Sequence, residues 1–308
     1  MAQAQSMAGR RVLITGAARG IGAETARQVV RAGGRVGLVG LEPQELERVA
    51  TELGPSAVWA EADVTDWDQL EAAVGGVVGE LGGLDAVVAN AGIGAGGPIH
   101  LMDRDMFERV LEVNLIGVWR TVRVCLPHVM ATRGYVLIIT SLAAISAAPL
   151  MGAYCTSKRG AEAFGDVLRI EMAPHGVDVG VAYFSWLDTD MVRAAAQQRT
   201  FNELRDKLPA PMRRTSPVSA AGVAIVDGIA TRARYVMVPG WIRMLKWTRG
   251  VGTRAREVLT RRQAARAEEL FVADLGEDGQ MMGGPGAQAA WDAGRARERA
   301  KAGAGSEA

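Results

Sequence analysis

The sequence predicts an α/β fold: a doubly wound parallel sheet of about seven strands in one domain, with a C-terminal helical extension. Three observations predict it. Short apolar runs alternate with helix-period stretches from residue 10 to about 240. The first run ends in a glycine-rich turn, Thr15-Gly-Ala-Ala-Arg-Gly-Ile-Gly22, that opens a helical pattern. The ends of later runs carry Asp63, Asn90 and Ser141, at the edge where a parallel sheet presents its ligand.

Taken in order, residues 10–16 read as a buried strand, because the run is apolar and closes on Gly16. The helical pattern after the turn continues to about Ala32. Strand, glycine-rich turn and helix together aim backbone N–H groups at a pyrophosphate. Residues 35–39 form a second strand, 43–53 an amphipathic helix, 57–64 a third strand and 67–81 another helix. Residues 84–92 give a fourth strand and a turn. The stretch 103–132 predicts one long helix with Asn114 inside it, broken near Pro127. A fifth strand spans 135–140, a helix follows around Tyr154, and 177–183 is strand six. Residues 234–239 read as the last strand. Alternation of this kind implies right-handed crossovers and a sheet covered on both faces.

Composition limits the functional classes. The 308 residues carry a net charge of +1, with 49% hydrophobic and 22% charged residues, so nothing suggests a nucleic-acid partner. Cys125 and Cys155 offer no disulfide framework, and His100, His128 and His175 are scattered, so no metal site is expected. The start has no apolar signal region, and the default location is the cytoplasm. Residues 135–157 carry no charge, yet Pro149, Gly152 and several hydroxyl residues make them a strand, a loop and a helix start rather than a membrane span.

The chemistry centres on Ser141, Tyr154 and Lys158. Tyr154 and Lys158 stand four apart, so a helix places both on one face. A nearby cation lowers a phenol's pKa and fits it for proton exchange with an alcohol or carbonyl oxygen. Lys158 is one of four lysines among 35 basic residues, which argues against a chance pairing. At the end of the second strand, where an acidic residue favours NAD, stand Gly40 and Leu41, with Glu42 two places late. Arg19 in the glycine turn is placed to accept a 2′-phosphate, so NADP is the expected preference and NAD the alternative.

Together these residues resemble the short-chain dehydrogenase/reductase family, with its Rossmann-type sheet. The resemblance covers about residues 10–240. It rests on Thr15-Gly-x-x-x-Gly-Ile-Gly22, Asp63-Val64, Asn90-Ala-Gly92, Asn114, Ser141 and Tyr154-x-x-x-Lys158. The resemblance implies that Tyr154 is the acid/base, that Lys158 lowers its pKa and binds the nicotinamide ribose, and that Ser141 orients the substrate oxygen. It implies that Asn114 holds a relay water and that Asp63 contacts the adenine. Gly16, Arg19, Gly20, Ile21, Gly22, Val64, Asn90 and Gly92 would line the cofactor cleft, and Thr189 would meet the nicotinamide carboxamide. Phe184 and Ser185 stand where the family usually has Pro-Gly.

Residues 186–215 occupy the place of a substrate lid, and Trp186, Met191, Leu150 and Met151 are candidates for an apolar pocket. Residues 241–271 form a basic, aromatic segment suited to a helix on a membrane surface or packed on the domain. Residues 1–9 read as a flexible start, and 272–308 as a mobile tail in which Trp291 marks a short helix. The reading is an oxidoreductase acting on a lipophilic carbonyl or secondary alcohol, as a homodimer or homotetramer. Its alternatives are a non-catalytic dinucleotide sensor and a membrane-surface lipid or steroid oxidoreductase.

Overall fold

The computed structural model describes residues 7–249, 253–275 and 281–305. Seven parallel strands form the main sheet: β1 (Arg11–Thr15), β2 (Arg35–Gly40), β3 (Ala57–Glu61), β4 (Ala86–Ala89), β6 (Tyr135–Ser141), β7 (Asp178–Phe184) and β8 (Tyr235–Val238). Their spatial order is β3-β2-β1-β4-β6-β7-β8, so the winding reverses between β1 and β4. A small strand β5 (Ala95–Gly96) pairs antiparallel with β9 (Met281–Met282).

Alternation along each strand feeds two cores. On β1, Leu13 belongs to one apolar cluster and Val12 and Ile14 to the other. On β6, Val136 and Ile138 face the first, Leu137 and Ile139 the second. Continuous apolar strands are what a sheet buried on both faces requires. Helices α1 (Gly20–Arg31), α2 (Pro43–Leu53) and α10 (Val218–Thr231) cover one face. Helices α3 (Trp67–Leu81), α4 (Arg104–Leu111), α5 (Gly117–Ala131) and α6 (Gly152–Met172) cover the other. Short helices α7 (Asp190–Ala196), α8 (Arg199–Asp206) and α9 (Ala210–Arg213) fill the expected lid.

Two regions differ from the sequence reading. The helix at 103–132 does not break at Pro127, which sits within α5. It is interrupted by a single π turn at Glu112–Ile116, which contains Asn114. The C-terminal region is not one helix and a tail. It forms α11 (Ile242–Trp247), α12 (Thr253–Leu275), β9 and α13 (Pro285–Gly305). Residues 1–6, 276–280 and 306–308, parts of the expected flexible ends, lie outside the described residues, as do the side chains of Arg254, Arg256, Arg261 and Arg262. No described helix is long and apolar enough to cross a membrane.

Buried charge ties α11 to α6. The Glu162 carboxylate accepts hydrogen bonds from Lys246 Nζ at 2.6 Å, Tyr183 Oη at 2.8 Å and Arg249 Nη1 at 2.7 Å. These cations hold Glu162 below the usual carboxylate range against the opposing pull of burial.

Candidate active site

One cleft opens at the carboxyl ends of the strands, over the reversal between β1 and β4. This is where an open parallel sheet takes its ligand. Gly16, Arg19, Gly20, Ile21, Asp63, Val64, Asn90, Gly92, Ser141, Tyr154, Lys158 and Thr189 all line it. Gly22 and Asn114 lie behind the wall. A Cβ at Gly22 would stand 2.2 Å from Gly16 O, so only glycine lets α1 pack against the turn.

Ser141 reaches the cleft because it closes β6, paired with Phe184 on β7. Its hydroxyl donates to Phe184 O at 3.3 Å and accepts from Ala143 N at 3.2 Å. Tyr154 and Lys158 lie one turn apart on α6, with Lys158 Nζ 5.7 Å from the centre of the phenol ring. Lys158 is buried and donates to Ile139 O at 3.2 Å. Burial pushes the Tyr154 phenol up to about 12, and a hydrogen bond with Ser141 opposes this. Burial also draws the Lys158 ammonium down to about 8. A phenol shifted in this direction holds its proton more firmly than a free one.

The asparagines act on the backbone. Asn90 Nδ2 donates to Thr15 O at 2.9 Å and Gly16 O at 3.1 Å, tying the turn after β4 to the glycine turn. Asn114 accepts from Ile93 N at 2.7 Å and donates to Ile93 O at 2.9 Å and Ser157 Oγ at 3.2 Å. The π turn aims it inward, as such turns often do at functional sites. A Cβ on Gly92 would come within 3.2 Å of both Asn114 Oδ1 and Lys158 Nζ, so the missing side chain keeps the space between them open.

Arg19 already has acidic partners. Its guanidinium is paired with Glu42 and, at 3.3 Å, with Asp190. The hydrogen bonds to Glu42 lead the causes that raise its pKa. Asp63 is committed too. Its carboxylate accepts from Thr65 N at 2.9 Å, Thr65 Oγ1 at 2.7 Å, Arg109 Nη2 at 2.9 Å and Arg297 Nη2 at 2.6 Å. Those four bonds fill a carboxylate's acceptor positions, leaving none for an adenine amino group unless one lets go.

Of the candidate pocket residues, Met191 lines the cleft. Trp186 instead stacks edge-on against Phe201, at 5.1 Å between ring centres. Leu150 packs with Ala267 and Phe271 of α12. At the altered turn, Ser185 N bonds Val238 O at 3.1 Å, so the backbone runs on from β7 without a break. Ser185 Oγ is buried, has no partner among the described residues and belongs to the cleft lining.

The residues fit a nicotinamide dinucleotide. The first turn of α1 faces the cleft without a side-chain cap, leaving N–H donors for a pyrophosphate. Ser185 Oγ offers an unused hydrogen-bonding atom at the Ser141–Tyr154 end. Sequence reasoning missed Gly283, Gly286, Ala287 and Ala290, which also line the cleft. Their segment is rich in Gly and Ala and shows no apolar period that would announce it.

Comparison with known proteins agrees with this geometry. A family profile described as short chain dehydrogenase matches residues 10–200. The chain is 32% identical over 243 residues to momilactone A synthase of Oryza sativa subsp. japonica, covering 76% of this chain and 85% of that protein. It is 34% identical over 213 residues to (-)-trans-carveol dehydrogenase of Rhodococcus erythropolis, covering 63% of this chain and 76% of that one. Among solved structures, a 3-ketoacyl-(acyl-carrier-protein) reductase from Brucella melitensis complexed with NADH superposes with a TM-score of 0.69 at 27% identity. That superposition covers 76% of this chain and 98% of the other.

Proposed function

Since this chain belongs to the short-chain dehydrogenase/reductase family and is an NAD(P)-dependent oxidoreductase, we propose that it reduces a lipophilic carbonyl compound to a secondary alcohol. The observation that carries this reading is the convergence of Ser141, Tyr154 and Lys158 on the cleft that the glycine turn also lines. When bound, the dinucleotide supplies the hydride. Tyr154, protonated at neutral pH, gives its proton to the carbonyl oxygen as negative charge builds there. Ser141 orients that oxygen by exchanging its long bond to Phe184 O for one to the substrate. Lys158 places a positive charge at the same end of the cleft and holds the ribose hydroxyls. Asn114 fixes the turn at Gly92 and Ile93 that leaves room for them.

The lining of the cleft supports a lipophilic substrate. Ile93, Phe184, Leu187, Met191 and Val192 are apolar, and the carveol dehydrogenase among the relatives supports an alcohol–carbonyl pair. Around Arg19, two carboxylates face one guanidinium. A 2′-phosphate would add about two more negative charges there, so the reading favours NAD over NADP. Exposed apolar residues on α5 and α6, with Val167 53% and Ile170 75% exposed, support a homodimer through this face.

A panel of lipophilic ketones with NADH and NADPH tests the reading. The expected result is ketone-dependent oxidation of NADH. Binding of dinucleotide without turnover of any ketone or alcohol would favour the sensor instead.

A further inference from the structure

The C-terminal helix α13 crosses the mouth of the cleft. Just before the helix the chain meets α7: a Cβ at Gly284 would lie 3.0 Å from Asp190 O and 3.5 Å from Ala194 Cβ. About three turns on it meets α4, where a Cβ at Gly294 would lie 3.1 Å from Arg109 Nε. Between these supports, Gly286, Ala287 and Ala290 line the cleft opposite Leu41, Glu42 and Val64. These last three stand beyond β2 and β3, where such a sheet takes the adenosine.

The segment is fastened at both sides. Before the helix, β9 pairs with β5, and Gly283 N donates to Gly94 O at 2.8 Å. Along the helix, Arg109 Nε donates to Ala290 O at 2.9 Å. Beyond the cleft, Arg297 Nη2 donates to Asp63 Oδ2 at 2.6 Å. Asp63 is buried, whereas the Arg297 side chain keeps 26% of its exposure, so this last fastening is reachable by water and can open.

Resting on the dinucleotide reading above, we propose that residues 281–305 are a strap that gates the cofactor site. Dinucleotide enters and leaves only while α13 is lifted, and the Arg297–Asp63 pair sets how often it lifts. A gate has a kinetic signature that a simple binding wall lacks. If passage needs the open state, both rates scale with its population, and their ratio, the affinity, stays nearly constant. Loss of a direct contact would raise dissociation alone.

The test is stopped-flow fluorescence of NADH binding to the full chain and to Arg297→Gln and Arg297→Lys, with hydrogen exchange of 285–300 in the wild type. The expected result is that Arg297→Gln raises association and displacement rates together by about tenfold and changes Kd less than threefold, while Arg297→Lys lies between. NADH is also expected to slow exchange across 285–300 in the wild type. Rates within twofold of wild type in Arg297→Gln would overturn the gate, as would a rise in dissociation alone or exchange indifferent to NADH. Those outcomes leave dinucleotide binding intact. A wild-type chain that binds neither NADH nor NADPH overturns the strap and the functional reading together.

Discussion

Tyr154 and Lys158 show what burial does to the pair proposed for catalysis. The four-residue spacing that puts them on one face was legible in the sequence. Their desolvation was not, because it depends on β6, β7 and α5 closing around them. A base whose folded pKa falls from 10.5 to about 8 is bound less tightly by protons when folded. The native state therefore carries a charge penalty that is fully present below pH 8 and fades as pH rises towards 10.5. The shift corresponds to about 3 kcal/mol as an upper bound. Lys158→Met is expected to lose turnover yet unfold at a higher temperature at pH 7, with the gain shrinking between pH 8 and 10. Scanning calorimetry across that range checks it. Arg19 gives a second prediction at this scale. Removing one carboxylate from its pair in Glu42→Gln is expected to raise the NADPH-to-NADH ratio of kcat/KM about tenfold. Steady-state kinetics with both cofactors reads it. The lone sequence could place Arg19 in the turn, but not the carboxylate of Asp190, which comes from beyond β7.

Among elements, α6 is held from both sides. Asn114 reaches it through Ser157, and Glu162 fastens α11 to it. The helical period of 103–132 was legible, but its π turn was not, since one extra residue shifts the apolar stripe too little to register. The site depends on that turn, because it aims Asn114 at Ile93. The Glu162 cluster was equally hidden, its partners lying 84 and 87 residues away in sequence. Deleting the charge in Glu162→Gln takes from Lys246 the carboxylate it donates to, at a cost of about 3 kcal/mol for breaking a buried pair. Urea denaturation is expected to show a lower midpoint with an unchanged m-value. Since Glu162 touches neither Tyr154 nor the cleft, KM for the ketone should stay within twofold.

Across the whole molecule, alternation of apolar runs and helices was enough to read the parallel sheet and the edge where its ligand lies. The C-terminal helix was legible only at Trp291, for a physical reason. A helix that must pass close over a cleft presents Gly286, Ala287, Ala290 and Gly294, and such residues look like low-complexity tail rather than an apolar face. The surface of α5 and α6 carries the opposite signal, with Trp119 42% and Ile170 75% exposed. The proposed dimer buries that face, so Ile170→Glu is expected to weaken association. Light scattering is expected to report a dimer for the wild type and a monomer for the variant, with the fold retained by circular dichroism.

In the proposed reaction Tyr154 supplies the proton at the carbonyl end of the cleft. The direct measurement is single-turnover reduction of an accepted ketone by Tyr154→Phe preloaded with NADH, alongside NADH affinity of the same variant. The account predicts a rate lower by about 10²- to 10⁴-fold with NADH affinity within threefold of wild type. An unchanged single-turnover rate would contradict it, because the proton would then have to come from another group.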